Sequence, residues 1–181
     1  MDAEQGRSVF LVGPMGSGKT AVGRQLARRL GYRFLDSDTE IEARTGVDIP
    51  FIFEKEGEEG FRTREREVID ELSKQPGIVL GTGGGAVLAE ENRERLAARG
   101  VVVYLETSIA QQVLRTSRSR ARPLLFTDDP RGRLESLAAV REPLYRDLAA
   151  VTIRTDGRKV SAVADEIVDR LRQLGLGCQG R

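Results

Sequence analysis

Gly13-Pro-Met-Gly-Ser-Gly-Lys-Thr20 has the residue types and spacing of a phosphate cradle, matching G-x-x-x-x-G-K-[ST] in full. Gly16 and Gly18 let the backbone wrap closely, so that its N–H groups point inward at phosphate oxygens. Lys19 brings a compact positive charge toward the β- and γ-phosphates. The Thr20 hydroxyl can ligate Mg²⁺. The segment follows the short apolar run Ser8-Val-Phe-Leu-Val12 and opens a helical pattern, which is the context the motif needs. On its own the motif means nucleotide binding and does not name a reaction.

Two carboxylates come next, in Leu35-Asp-Ser-Asp38. They stand at the carboxyl end of a second short strand, Arg33-Phe-Leu35, where ligands sit in open α/β sheets. Strand alternation puts Asp36 and Asp38 on one side of the chain. One carboxylate beside Mg²⁺ and one that takes a proton from an attacking hydroxyl are the two acidic tasks of a kinase. The competing reading is that either residue only caps the following helix. The third strand, Ile78-Val-Leu80, leads into Gly81-Thr-Gly-Gly-Gly85 rather than into an acid. A glycine floor there favours a small acceptor lying against backbone. A flexible turn is the alternative.

Arginines supply the anion chemistry. Arg62, in Gly60-Phe-Arg-Thr-Arg-Glu65, and Arg141, in Arg141-Glu-Pro-Leu-Tyr145, suit bidentate recognition of a small anionic acceptor. Arg122, before Pro123-Leu-Leu125, suits charge neutralisation over a transferring phosphate. In a chain so rich in arginine each also has a solvated-surface reading, and Arg64, Arg66, Arg95, Arg99, Arg131 and Arg133 are given it.

These residues require elements to hold them. Helical spacing covers 20–30, closed by Gly31, then 39–44, closed by Gly46. Two further helices are expected over 50–55 and 60–72, and others over 90–99, 108–116, 129–149 and 161–174. Ser108 and Asp129-Pro130 read as helix starts. Val101-Val-Val-Tyr-Leu105 and Val151-Thr-Ile153 complete five strands. Residues 118–129 are polar, arginine-rich and aperiodic, which reads as a mobile loop, and 175–181 reads as a frayed tail. Alternation of strand and helix predicts a parallel sheet covered on both faces, in one domain. The helical stretch 39–72 interrupts the alternation and is long enough to lie over the site.

Composition narrows the partners. Twenty-nine basic against 28 acidic residues leave a formal charge of +1 among 181 residues, which gives no global attraction to nucleic acid or an anionic membrane. A single cysteine, Cys178, excludes an internal disulfide. The polar start lacks the apolar core of a signal peptide, and no apolar run approaches a membrane span. A cytoplasmic protein is the expectation.

Taken in order, Gly13 to Thr20, Leu35-Asp-Ser-Asp38, Phe61-Arg62 with Glu65, Gly83-Gly-Gly85, Arg122-Pro-Leu-Leu125 and Arg141-Glu-Pro-Leu-Tyr145 resemble the shikimate kinases. The match runs from about residue 8 to 174. The resemblance implies ATP- and Mg²⁺-dependent phosphorylation of the 3-hydroxyl of shikimate, by a monomer without nucleic-acid or membrane partners. It implies a three-layer P-loop kinase fold, α/β, with a five-stranded parallel sheet in the order 2-3-1-4-5. A substrate-binding subdomain would span about 38–73 and a lid about 115–128. It also implies that Asp38 contacts the acceptor hydroxyl, that Arg62 and Arg141 hold the acceptor's carboxylate and ring hydroxyls, and that Gly84 adds a backbone contact. Gly16, Ser17, Gly18, Lys19, Thr20 and Ala21 would surround the triphosphate. Thr20 and Asp36 would support Mg²⁺, Arg122 would face ATP from the lid, and Arg115 and Arg158 would stand on the adenine side. Lys19, Asp38 and Arg122 are then the catalytic set, and Glu65 anchors the substrate arginines. Val160 stands where some members offer a residue flanking the base. The rivals are a P-loop kinase for another small acceptor, such as gluconate or a nucleoside monophosphate, and a nucleotide-binding regulator without catalysis.

Overall fold

A computed structural model describes residues 6–117 and 125–176. Five parallel strands, β1 (Ser8–Val12), β2 (Arg33–Asp36), β3 (Ile78–Gly81), β4 (Gly100–Glu106) and β5 (Val151–Arg154), form one sheet in the order β2-β3-β1-β4-β5. The expected strand order is therefore the observed one. β1 is buried along its whole length and pairs on both edges, Val9 with Val79 of β3 and with Val101 of β4. Strands buried on both faces read as continuous apolar runs, which explains why β1 and β4 were legible without alternation.

Successive side chains of those runs feed two cores. Val9, Leu11, Val79, Val103 and Ile153 face α1 (Lys19–Leu30) and α7 (Val160–Gln173). Phe10, Val12, Leu80, Val102 and Tyr104 pack with Ile41 of α2 (Ser37–Thr45), Ile69 of α3 (Ile49–Leu72), Leu96 of α4 (Glu90–Arg99) and Tyr145 of α6 (Pro130–Leu148). Remaining elements are a 3₁₀ turn at Ala86–Leu88 and α5 (Ile109–Thr116). Ser108 caps α5 by accepting from the Gln111 amide, and Asp129 caps α6 by accepting from that of Gly132.

The stretch 49–72 contains two helical segments, as its sequence suggests. Gly57, at φ 71° and ψ −178°, breaks the helical path between them. The tail expected to fray from 175 keeps two residues in place. The Leu176 amide donates to the Leu171 carbonyl at 2.9 Å, and its side chain packs on the core. Residues 177–181, with Cys178, and most of the expected loop, 118–124, lie outside the described residues.

Strand order positions the site. Asp36 registers beside Gly81, and β1 ends one step before Gly13. The phosphate motif, the aspartates and the glycine run therefore emerge along one carboxyl edge, where the order of connection reverses on either side of β1.

Candidate active site

The cradle is backbone. Gly16 at φ 78° and Gly18 at φ 88° occupy the left-handed region that favours glycine, and Gly18 caps α1 without a side chain. The Lys19 ammonium donates to the carbonyls of Gly13 (2.7 Å) and Pro14 (2.8 Å) and to Ser17 Oγ (3.3 Å), folded over its own loop. Arg115 of α5 donates to the Gly16 carbonyl at 2.9 Å, fastening the loop from outside. A cleft of about 300 Å³ opens between Gly16, Lys19, Thr20, Asp36, Asp38 and Gly83.

Asp36 and Asp38 converge for a reason other than strand alternation. β2 ends at Asp36, and Asp38 already belongs to α2. Asp36 is the N-cap: its Oδ1 accepts from the amides of Asp38 (3.0 Å) and Thr39 (3.1 Å). Its Oδ2 accepts from the Thr20 hydroxyl at 3.3 Å. Capping and facing the cradle are thus both true of one carboxylate, one oxygen for each. Asp38 turns the other way, toward the glycine run: a methyl group at Gly83 would lie 2.9 Å from Asp38 Oδ1.

That run is a matter of space rather than flexibility. None of Gly83, Gly84 and Gly85 has a positive φ, and Gly85 sits at φ −95°. A Cβ at Gly83 would meet Glu65 Oε2 at 2.6 Å, and one at Gly85 would meet Arg62 Nη2 at 2.3 Å. At Gly84 the neighbours are the Met15 amide nitrogen (3.4 Å) and Arg141 Nη1 (3.5 Å). Charged side chains from three helices close onto bare backbone here. The Gly83 amide is held by Ser37 Oγ at 3.1 Å.

Arg62 and Arg141 meet at this floor from α3 and α6, and burial separates them from the other arginines. Arg141 is 4% exposed, whereas the Arg131 side chain is 62% exposed. Arg62 donates to Glu65 Oε1 at 2.8 Å and, less closely, to Glu58 at 3.2 Å. Glu65 is 1% exposed, and among the described residues neither its Oε2 nor Arg62 Nε has a hydrogen-bond partner. Burial pushes the Glu65 carboxyl up from its ordinary value, with Arg62 pulling it back. Burial also works against the Arg62 charge, but Glu65 and Glu58 more than restore it, and Arg62 stays above the ordinary arginine value. Arg141 is lowered, first by burial and also by the neighbouring Arg62 charge. It has no ion-pair partner among the described residues. Of the two buried guanidiniums, Arg62 bonds the buried Glu65 carboxylate and Arg141 does not.

Arg122 lies outside the described residues. Arg158 pairs with Glu166 at 2.6 Å and donates to the Arg154 carbonyl. Arg115 lies along the cradle, whereas Arg158 is engaged at the start of α7. Arg95 and Arg99, read as surface residues, gather on Asp70 at 3.3 and 2.9 Å. Two participants went unread. Glu58 stands four residues before Arg62 on one helical face. Tyr145 stands four residues after Arg141, a spacing that puts both on one face of α6.

A model of the shikimate kinase family matches residues 15–172. The shikimate kinase of Vibrio cholerae serotype O1 is 57% identical over 92% of this chain and 96% of its own length. Shikimate kinase 1 of Yersinia pestis is 57% identical over 91% of this chain and 96% of its own length. Among solved structures, the shikimate kinase of Acinetobacter baumannii in complex with shikimate superposes with a TM-score of 0.94. That enzyme is 50% identical, covering 96% of this chain and 97% of the other. A gluconokinase from Sinorhizobium meliloti, 18% identical with a TM-score of 0.61 over 94% of each chain, shares the fold alone. The chain belongs to the shikimate kinase family.

Proposed function

We propose that this chain transfers the γ-phosphoryl group of ATP to the 3-hydroxyl of shikimate. The observation that carries the reading is in the acceptor pocket: Arg141 is buried with no ion-pair partner among the described residues, beside an Arg62 already paired with Glu65. A small carboxylate bearing hydroxyls supplies Arg141 with a partner and fits a floor without side chains. The Acinetobacter baumannii relative, 50% identical, is solved with shikimate bound.

In the reaction the acceptor oxygen bonds to the γ-phosphorus, the bond from that phosphorus to the β,γ-bridging oxygen breaks, and ADP leaves. Phosphoryl transfer of this kind depends on positioning and charge neutralisation. Asp38, on the side facing the glycine floor, orients the acceptor hydroxyl and takes its proton. Arg62 and Arg141 hold the carboxylate, and Gly84 contributes backbone. Residues 16–21 hold the triphosphate. Lys19 exchanges the carbonyls of Gly13 and Pro14 for phosphate oxygens, so it begins in place. Arg122 neutralises charge from a lid over about 115–128. Residues 38–73 form the acceptor-binding subdomain, and Arg115 and Arg158 lie on the adenine side.

Thr20 Oγ1 and Asp36 Oδ2, 3.3 Å apart, are hard oxygen donors that fit Mg²⁺. This ion takes few protein oxygens and fills its shell with phosphates and water. Bound there, it would neutralise phosphate charge. The enzyme works in the cytoplasm as a monomer, without nucleic acid. No helix among the described residues is long and apolar enough to cross a membrane.

A coupled assay of ADP release over a panel of acceptors tests the substrate. Shikimate should support turnover, and gluconate and nucleoside monophosphates should not. Turnover with one of these and none with shikimate overturns the reading.

A further inference from the structure

The Arg141-Glu-Pro-Leu-Tyr145 segment ends in a tyrosine to which the mechanism above gives no task. Tyr145 is 1% exposed, and burial holds its phenol far above the ordinary tyrosine value, so it is a neutral donor at any working pH. Its hydroxyl donates to the Gly84 carbonyl at 2.5 Å, bridging α6 to the glycine floor. Arg141, one helical turn earlier on the same face of α6, is a charged neighbour of the same phenol and pulls its pKa back down. Its Nη1 also lies 3.5 Å from where a Gly84 side chain would begin. The ring is fixed independently of these polar contacts: it stacks on Tyr104 of β4, with centroids 5.0 Å apart and planes at 27°. One rigid ring, seated on the central sheet, therefore holds the Gly84 carbonyl, and the Arg141 guanidinium lies beside that same glycine.

We infer that Tyr145 is a positioning residue for the acceptor. Its hydroxyl sets the Gly84 peptide and the Arg141 guanidinium at a fixed separation, so that backbone and cation meet one ligand together. The inference rests on the proposed function. It predicts that the tyrosine oxygen matters to acceptor binding and not to nucleotide binding, because its hydrogen bond goes to Gly84 of the floor. A tyrosine serving packing alone would lose little as phenylalanine, since the ring and its stack remain.

The test compares Tyr145→Phe, Tyr104→Phe and wild type. Tyr104 supplies a matched hydroxyl in the same stack, its phenol pushed up to about 12 by burial. The expected result is a shikimate KM raised about ten-fold in Tyr145→Phe, the size of one buried hydrogen bond. ATP KM should stay within about two-fold and Tyr104→Phe should behave as wild type, since neither measurement touches that bond. An unchanged shikimate KM overturns the inference, and so does an equal rise in both KM values, which marks a general loss of structure. A wild-type chain inactive on shikimate would instead sink the function reading, and this inference with it. A second measurement needs no variant. In protein labelled with ¹³C at the tyrosine ring, shikimate alone should shift the Tyr145 resonance, and an ATP analogue alone should not. A Tyr145 signal indifferent to shikimate overturns the inference.

Discussion

At the proposed phosphate cradle the groups on offer are backbone amides, shaped by Gly16 and Gly18 at positive φ, while Lys19 rests on carbonyls of its own loop and Arg115 on that of Gly16. At the acceptor pocket they are side chains: Arg62, Arg141 and Glu65 brought in from two helices onto glycines whose φ is ordinary. Among the described residues, the buried Arg141 has no ion-pair partner, and Arg62 Nε and Glu65 Oε2 have no hydrogen-bond partner. The contrast follows from what each must recognise. A triphosphate is the same in every nucleotide enzyme, so a local loop suffices. A particular small acid needs groups converging from distant parts of the chain, and their desolvation is offset only when the acid arrives.

Replacing the cation on each side separates the two designs most strongly. Lys19→Met should lower kcat by about 10²–10³-fold, the size of one lost charge-stabilising group, with shikimate binding retained. Arg141→Met should raise shikimate KM by about 100-fold and leave ATP KM within about two-fold. Steady-state kinetics with each substrate varied reads both. Equal effects on both substrates from either variant would dissolve the distinction.

Two glycine substitutions sharpen it with smaller effects. At Gly85 space is limiting, since a methyl would sit 2.3 Å from Arg62 Nη2, so Gly85→Ala should raise shikimate KM by about ten-fold or more. At Gly18 the nearest atoms to a methyl are 3.9 Å away, and only the φ of 88° resists. Gly18→Ala should therefore cost about 1–2 kcal/mol of local stability and act on ATP KM. The smallest effect lies away from both regions. Asp70 is held at about 2, below its ordinary 3.8, by Lys74 and Arg99. A depressed carboxylate stabilises the fold above pH 4 and loses that contribution as pH falls through 2. Thermal melts of Asp70→Asn should accordingly fall less than wild type between pH 4 and pH 2.

The same contrast explains what could be read from the sequence. The cradle was legible because its physics is local: eight consecutive residues, a strand before and a helix after. The strand order was implied by family resemblance and is observed. Asp36 and Asp38 were found, but through strand alternation, whereas the chain turns into α2 between them and the cap brings them together. The glycine run was noticed, yet its reason, the approach of Arg62 and Glu65, depends on contacts between residues far apart in sequence. Nothing in composition distinguishes Arg62 and Arg141 from Arg64 or Arg131, because burial is a property of the fold. Tyr145 passed as part of a signature, although its spacing from Arg141 already placed the two on one helical face.

Asp38, between the cradle and the floor, belongs to both halves, and it tests the central claim most directly. Shikimate-dependent ADP release should be measured on wild type and Asp38→Asn, with shikimate affinity determined separately. The account predicts turnover by wild type, and a fall of about 10²–10⁴-fold in kcat for the variant, the range of one general base. Shikimate binding should be close to unchanged. Wild type that releases ADP no faster with shikimate than without it, or a variant as fast as wild type, would contradict it.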